Sequence, residues 1–122
     1  METGFMTRYA SLSALCLLLM ACASQDHSLY HWGGYQEQIY EGFQIESSNT
    51  SPNKQLQKLQ EEQQKAAAKN KPLPPGYQAH MGYLYFQTGQ SDKAVMAFEA
   101  EKKQFPESTV YMDLVLGKLR QK

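Results

Sequence analysis

Few side chains in this chain of 122 residues have the type and spacing that chemistry requires. His27 and His31 stand four apart, which on a helix would turn both imidazoles toward one metal ion, with Asp26 as the nearest third ligand. Two ligands and one neighbour in a short segment make a poor cage. Chance spacing is the favoured reading, and neither a metal nor a cofactor is expected. Glu101 falls on an otherwise apolar stripe of Ala94, Ala97, Phe98 and Phe105, where an unpaired carboxylate would be costly. It must therefore be bonded. Its partner is either a tyrosine hydroxyl or helix-end amide of its own chain, fixing how the C-terminal helix docks, or a Lys, Arg or amide of another protein. His80 reads as a partly exposed polar edge. No Gly-rich phosphate loop, His-Glu-x-x-His, Gly-x-Ser-x-Gly or Cys-x-x-Cys occurs, so no catalytic residue is assigned. Two cysteines, Cys16 and Cys22, are too few for a disulfide framework or a zinc cluster.

One of those cysteines is nevertheless informative through its position. Arg8 precedes an apolar run from Tyr9 to Met20 in which Leu12, Leu15, Leu17, Leu18 and Leu19 dominate. A run of about a dozen residues is short of the ~20 that a membrane-spanning helix needs, and residues 1–21 have the shape of a secretory signal peptide. Glu2 is unusual so early, and Met6-Thr7-Arg8 would make a more typical start, so the first residue is Met1 or Met6. The run ends Leu19-Met20-Ala21-Cys22, which resembles the lipobox of bacterial lipoproteins; Met20 stands where a small residue is usual. That resemblance implies cleavage before Cys22, a diacylglycerol on its sulfur and an acyl group on its freed amine. One acyl chain binds a bilayer reversibly, whereas two or more hold stably. Ala23-Ser24 follows where inner-membrane lipoproteins carry Asp, which implies the outer membrane; the domain is expected on the periplasmic side, although these residues do not fix the leaflet.

The rest of the chain has room for one small domain. The 12 Lys+Arg and 12 Asp+Glu of the whole chain cancel, leaving neither the basic face of a nucleic-acid binder nor a polybasic tail. After a tether over 22–28 comes an aromatic helical segment over 29–50, in which Tyr35, Ile39 and Phe43 recur at the period of an amphipathic helix. Trp32 and Tyr30 are core anchors or, in the alternative, residues of the membrane interface. Ser51-Pro52 reads as N-cap and first residue of a Gln/Lys/Ala-rich helix over 51–71, mostly solvated and bearing on the domain along a weak strip of Leu56, Leu59, Gln63 and Ala66. Glu61 and Lys65 make a favourable pair on it. Lys71-Pro72-Leu73-Pro74-Pro75-Gly76 is a hard boundary.

Residues 72–106 read as a helix-turn-helix that resembles one tetratricopeptide repeat, a unit of about 34 residues. Gly82 and Tyr85 match on the first helix, Gly89 in the turn, Ala94 and Phe98 on the second, and Pro106 at its end. Gln78 and Glu101 depart from the Trp and Ala that such repeats favour. A single repeat cannot bury its own face, so the aromatic segment and a packing helix over 107–122, with Val110, Leu114, Val115 and Leu119 to one side, are expected to close it. The expected fold is all-α, a small bundle built around this hairpin. Its first helix is apolar on two sides: Tyr77, Met81, Leu84 and Tyr85 on one, Ala79, Tyr83 and Phe86 on the other. One side packs on residues 94–105. The other, by analogy with such repeats, lines a groove for a partner peptide, with Tyr83 and Phe86 at its surface unless the Trp32–Phe43 segment covers them.

Taken in order, Leu29-Tyr30-His31-Trp32-Gly33-Gly34-Tyr35, Pro74-Pro75-Gly76-Tyr77-Gln78-Ala79-His80, Gly89-Gln90-Ser91-Asp92-Lys93-Ala94, Phe98-Glu99-Ala100-Glu101-Lys102 and Phe105-Pro106-Glu107-Ser108 resemble a small family of Gram-negative lipoproteins of unknown function. Its members are commonly encoded beside a lipoprotein similar to the curli secretion channel. The resemblance implies a protein partner, a channel-forming or other envelope lipoprotein; the balanced charge argues against nucleic acid, and no small-molecule substrate is inferred. The expected function is that of a non-enzymatic adaptor, with Tyr83, Phe86, Glu101 and Trp32 as partner-binding residues and Cys22 as the lipid attachment. A pilotin-like escort for a channel subunit is the alternative. A cell-wall enzyme is the third reading, and it depends on Glu101 acting as an acid or base.

Overall fold

The computed structural model describes residues 27–44 and 51–121; Cys22, the signal segment and most of the tether lie outside the described residues. Among these, five α-helices and one short 3-10 turn occur with no strand, so the chain is all-helical as its sequence leads one to expect. The helices are α1 (Tyr35–Phe43), α2 (Pro52–Ala68), α3 (Tyr77–Gln87), α4 (Ser91–Gln104) and α5 (Thr109–Arg120), with the 3-10 turn over Pro106–Ser108 leading into α5.

Local chemistry sets most of the ends. The Ser51 hydroxyl accepts from the Lys54 amide at 3.4 Å and Pro52 opens α2. α3 begins after Gly76 at φ 85° and stops short of Gly89 at φ 78°, two backbone positions that suit a residue without a Cβ. α4 starts without a side-chain cap: Gln90 precedes it, and Ser91 is already its first helical residue. Asp92 in the first turn still opposes the helix dipole favourably.

Two apolar clusters share α3. On one side Tyr77, Met81 and Leu84 pack with Tyr35 of α1, Leu56, Leu59 and Ala66 of α2, and Leu73 of the proline-rich link. On the other, Ala94 and Phe98 of α4 and Met112 and Leu116 of α5 receive Ala79 and Phe86 of α3, and Tyr85 reaches both. α2 is therefore less peripheral than its composition suggests: Leu59 is fully buried, and the Tyr77 hydroxyl donates to the Leu59 carbonyl at 2.6 Å. Burial pushes that phenol well above its ordinary pKa. On the exposed side of α2, Lys65 pairs with Glu62 at 2.6 Å rather than with Glu61.

Both flanking helices depart from their expected stripes. In α1, Tyr35 is buried and Ile39 half-buried, but Phe43 is 84% exposed. Residues 29–34, expected within a helical segment, carry no helix, and Gly33 sits at φ 46°. In α5 the buried residues are Met112 and Leu116, with Val115 and Leu119 beside them, while Val110 and Leu114 face solvent. The reason is that α5 carries two apolar strips and the bundle offers it only one surface to fill.

Candidate functional site

The seam between α3 and α4 is closely fitted. At Gly82 a Cβ would lie 2.8 Å from the Phe98 ring, so the absence of a side chain is what lets the two helices approach. Ala79 and Phe86 lie within about 60° of Gly82 around α3 and are carried to the same side. Phe86, expected in a groove, thus packs against the α4–α5 cluster instead. Glu101 closes the other end of this seam. It is 2% exposed, its Oε1 accepts from the Gly76 amide at 2.7 Å and its Oε2 from the Ala79 amide at 3.4 Å. Glu101 is therefore the helix-end ligand of its own chain, and its expected role in binding a partner is corrected. Amides at a helix start lack intrahelical carbonyls; here Tyr77 turns to the Pro74 carbonyl at 3.2 Å and Glu101 serves Gly76 and Ala79, where the helix dipole also favours a carboxylate. These bonds also occupy the one carboxylate that an acid–base reading would have used.

On its opposite side α3 is incompletely covered. A groove of about 550 Å³ opens between α1, the start of α2 and α3, walled by Tyr35, Ile39 and Phe43, by Pro52 and Gln55, and by His80, Tyr83 and Leu84. Its floor is aromatic and aliphatic, and its rim carries Glu41 and Gln87. Tyr83 is 53% exposed, and its hydroxyl accepts from Gln87 Nε2 at 2.7 Å. Tyr35 lies at the inner end, its ring 4.7 Å from that of Tyr77; burial, then the negative charge of Glu101, push its pKa to about 12. His80 stands against Tyr35 with ring centroids 5.8 Å apart. Its Nδ1 is buried without a hydrogen-bond partner, and burial holds its pKa below the ordinary 6.5. A polar atom left in this state is uncommon in a folded protein.

The N-terminal aromatic segment docks at the other end of α1. The His31 amide donates to the Pro72 carbonyl at 2.8 Å, and its ring nitrogen Nε2 lies 3.0 Å from Glu62, whose other oxygen binds Lys65. Those hydrogen bonds, chiefly that from Lys65, hold the Glu62 carboxyl below its ordinary range. His31 is thus engaged with α2, not with His27, and no group of three or more metal-binding side chains occurs among the described residues. Tyr30 stands edge-on to Phe105 at 6.0 Å and Trp32 edge-on to Tyr30 at 6.4 Å, leaving Trp32 40% exposed at the end of an aromatic string.

Of the residues expected to bind a partner, then, Tyr83 lies in the groove, Phe86 in the opposite core, Glu101 inside the seam, and Trp32 beyond the far end of α1. Cys22 lies outside the described residues. The sequence reading missed Phe43, His80 and Gln55 as groove residues. For Phe43 a signal existed: it ends the segment that the sequence offered as a cover for Tyr83 and Phe86.

The chain belongs to the family defined by a domain of unknown function, DUF4810, whose family model matches residues 29–115. No curated protein and no solved structure matches it. No helix among the described residues is long and apolar enough to cross a membrane.

Proposed function

We propose that this DUF4810 protein is a lipoprotein held to the outer membrane through Cys22, and that it serves as a non-enzymatic adaptor for an envelope or secretion-channel complex. The α3–α4 hairpin acts as a tetratricopeptide-like unit whose α1-facing side receives an apolar segment of the partner. One observation carries the reading: the groove beside α3 is lined by aromatic side chains, two of them exposed, around a buried histidine nitrogen that has no partner. Ligand sites have this character, an apolar wall with a few polar atoms that fix orientation. The segment that fits would bring an apolar side chain into the space between Phe43 and Tyr83.

The lipid and the groove divide the work. Acyl chains on Cys22 would set where the protein resides, and the groove would set what it retains there. The test is affinity capture of the full chain from its own envelope, beside a Tyr83→Glu variant. The adaptor reading expects a discrete envelope protein with the parent chain and its loss with the variant. Equal recovery from both would remove the groove from the account. If deleting the protein leaves a channel subunit misplaced rather than idle, the pilotin-like role takes precedence.

A further inference from the structure

α5 presents a second apolar row that nothing in the described chain covers. Val110, Tyr111 and Leu114 are 85%, 65% and 56% exposed, while the opposite side of the same helix buries Met112 and Leu116. Glu107 stands just before this row, Gly117 and Lys118 continue it, and both charged residues are exposed. Around a helix, Val110, Tyr111, Gly117 and Lys118 all fall within about 60° of Leu114. The row is therefore acidic at its start, apolar in the middle, then flat, then basic.

We propose that this face is a two-fold interface with a second copy of the chain, in which the two α5 helices lie antiparallel and cross at Leu114. The order of the row argues for that occupant and that direction. Antiparallel pairing brings the Glu107 end of each copy toward the Lys118 end of the other, whereas a parallel pair would set like charges together. It places Tyr111 of each copy over Gly117 of the other, where an added Cβ would meet nothing within 4 Å, so the space for a ring is present. It also lays the Lys118 stem along Val110, which buries methylenes while the ammonium remains in water. A closed pairing of this kind uses one patch twice and needs no second complementary surface. Three turns of helix fall below the ~1,600 Å² of a standard interface, so the association is weak in dilute solution.

The experiment uses the full chain in its own envelope, then purified in detergent. Leu114→Cys sits on the two-fold axis, where facing Cα atoms approach within disulfide range. Met96→Cys is the control, because Met96 is 72% exposed on α4, outside the row. Mild oxidation should give a product of twice the chain mass from Leu114→Cys, about tenfold more than from Met96→Cys or the parent chain. The purified parent chain at about 100 µM should sediment as a dimer. Leu114→Lys, an exposed change that leaves the helix content intact, should sediment as a monomer. A monomeric parent chain, a Leu114→Cys product no greater than the control's, or an adduct with a different protein would each overturn the proposal.

Discussion

α3 is held from two sides by opposite means. Toward α4 its packing is complete: Gly82 admits the Phe98 ring, and Glu101 serves the amides of Gly76 and Ala79. Toward α1 the same helix is left unfinished, with the His80 nitrogen unpaired, Tyr83 half open and Phe43 exposed beyond the end of the packed stripe. The lesson is a division of labour within one small bundle. Stability concentrates where volume and hydrogen bonds close, and recognition is available where they do not.

The sharpest way to break this contrast is to damage the seam. Glu101→Leu removes both acceptors and leaves two helix-end amides in the interior, so it should lower the unfolding free energy by about 2–4 kcal/mol in urea titration. Glu101→Gln keeps one acceptor and should cost clearly less. If the two variants were equal and mild, Glu101 would not be the structural ligand described. Gly82→Leu comes next. It forces a side chain into the Phe98 ring and should cost about 1–3 kcal/mol by the same titration.

pH separates the two sides more gently. His80 has a folded pKa below its unfolded value near 6.5, so the unfolded chain binds the proton more readily. Its contribution is complete above pH 6.5 and is lost as pH falls from there toward the folded pKa. Thermal unfolding of the parent chain should therefore shift downward between about pH 7 and pH 5, and His80→Leu should shift less. The Glu62 carboxyl, lowered by Lys65 and His31, behaves likewise from its ordinary 4.5 downward, and that lower window leaves the two distinguishable. The smallest effect on folding is expected in the groove itself. Phe43→Ser and Tyr83→Ser should stay within about 0.5 kcal/mol of the parent chain while abolishing partner capture.

The sequence made the seam readable because its residues have few alternatives. Gly82 and Ala94 only make sense as close approaches beside Tyr85 and Phe98, and a carboxylate at position 101 on an apolar stripe has to be bonded to something. The groove was harder. Periodicity reveals that α3 is apolar on two sides, but it does not say which side α4 takes. Tyr83 and Phe86 fall about 60° apart and part company in three dimensions, one to the groove and one to the core. The same ambiguity misdirected α5, where Leu114 belongs to the open strip and Leu116 to the buried one. Phe43 was lost for a related reason: a stripe predicts packing only as far as there is a surface to pack on, and α1 runs past it. His80 could not be told from a solvated edge, because its burial depends on Tyr35, a residue distant in the chain.

The most direct test replaces Tyr83 with a photo-crosslinking phenylalanine analogue in the full chain and irradiates the intact envelope. The adaptor account expects one discrete protein adduct from position 83, absent when the same group is placed at Met96 and lost when Phe43→Ser is added. No adduct from position 83, or the same pattern from both positions, would contradict it.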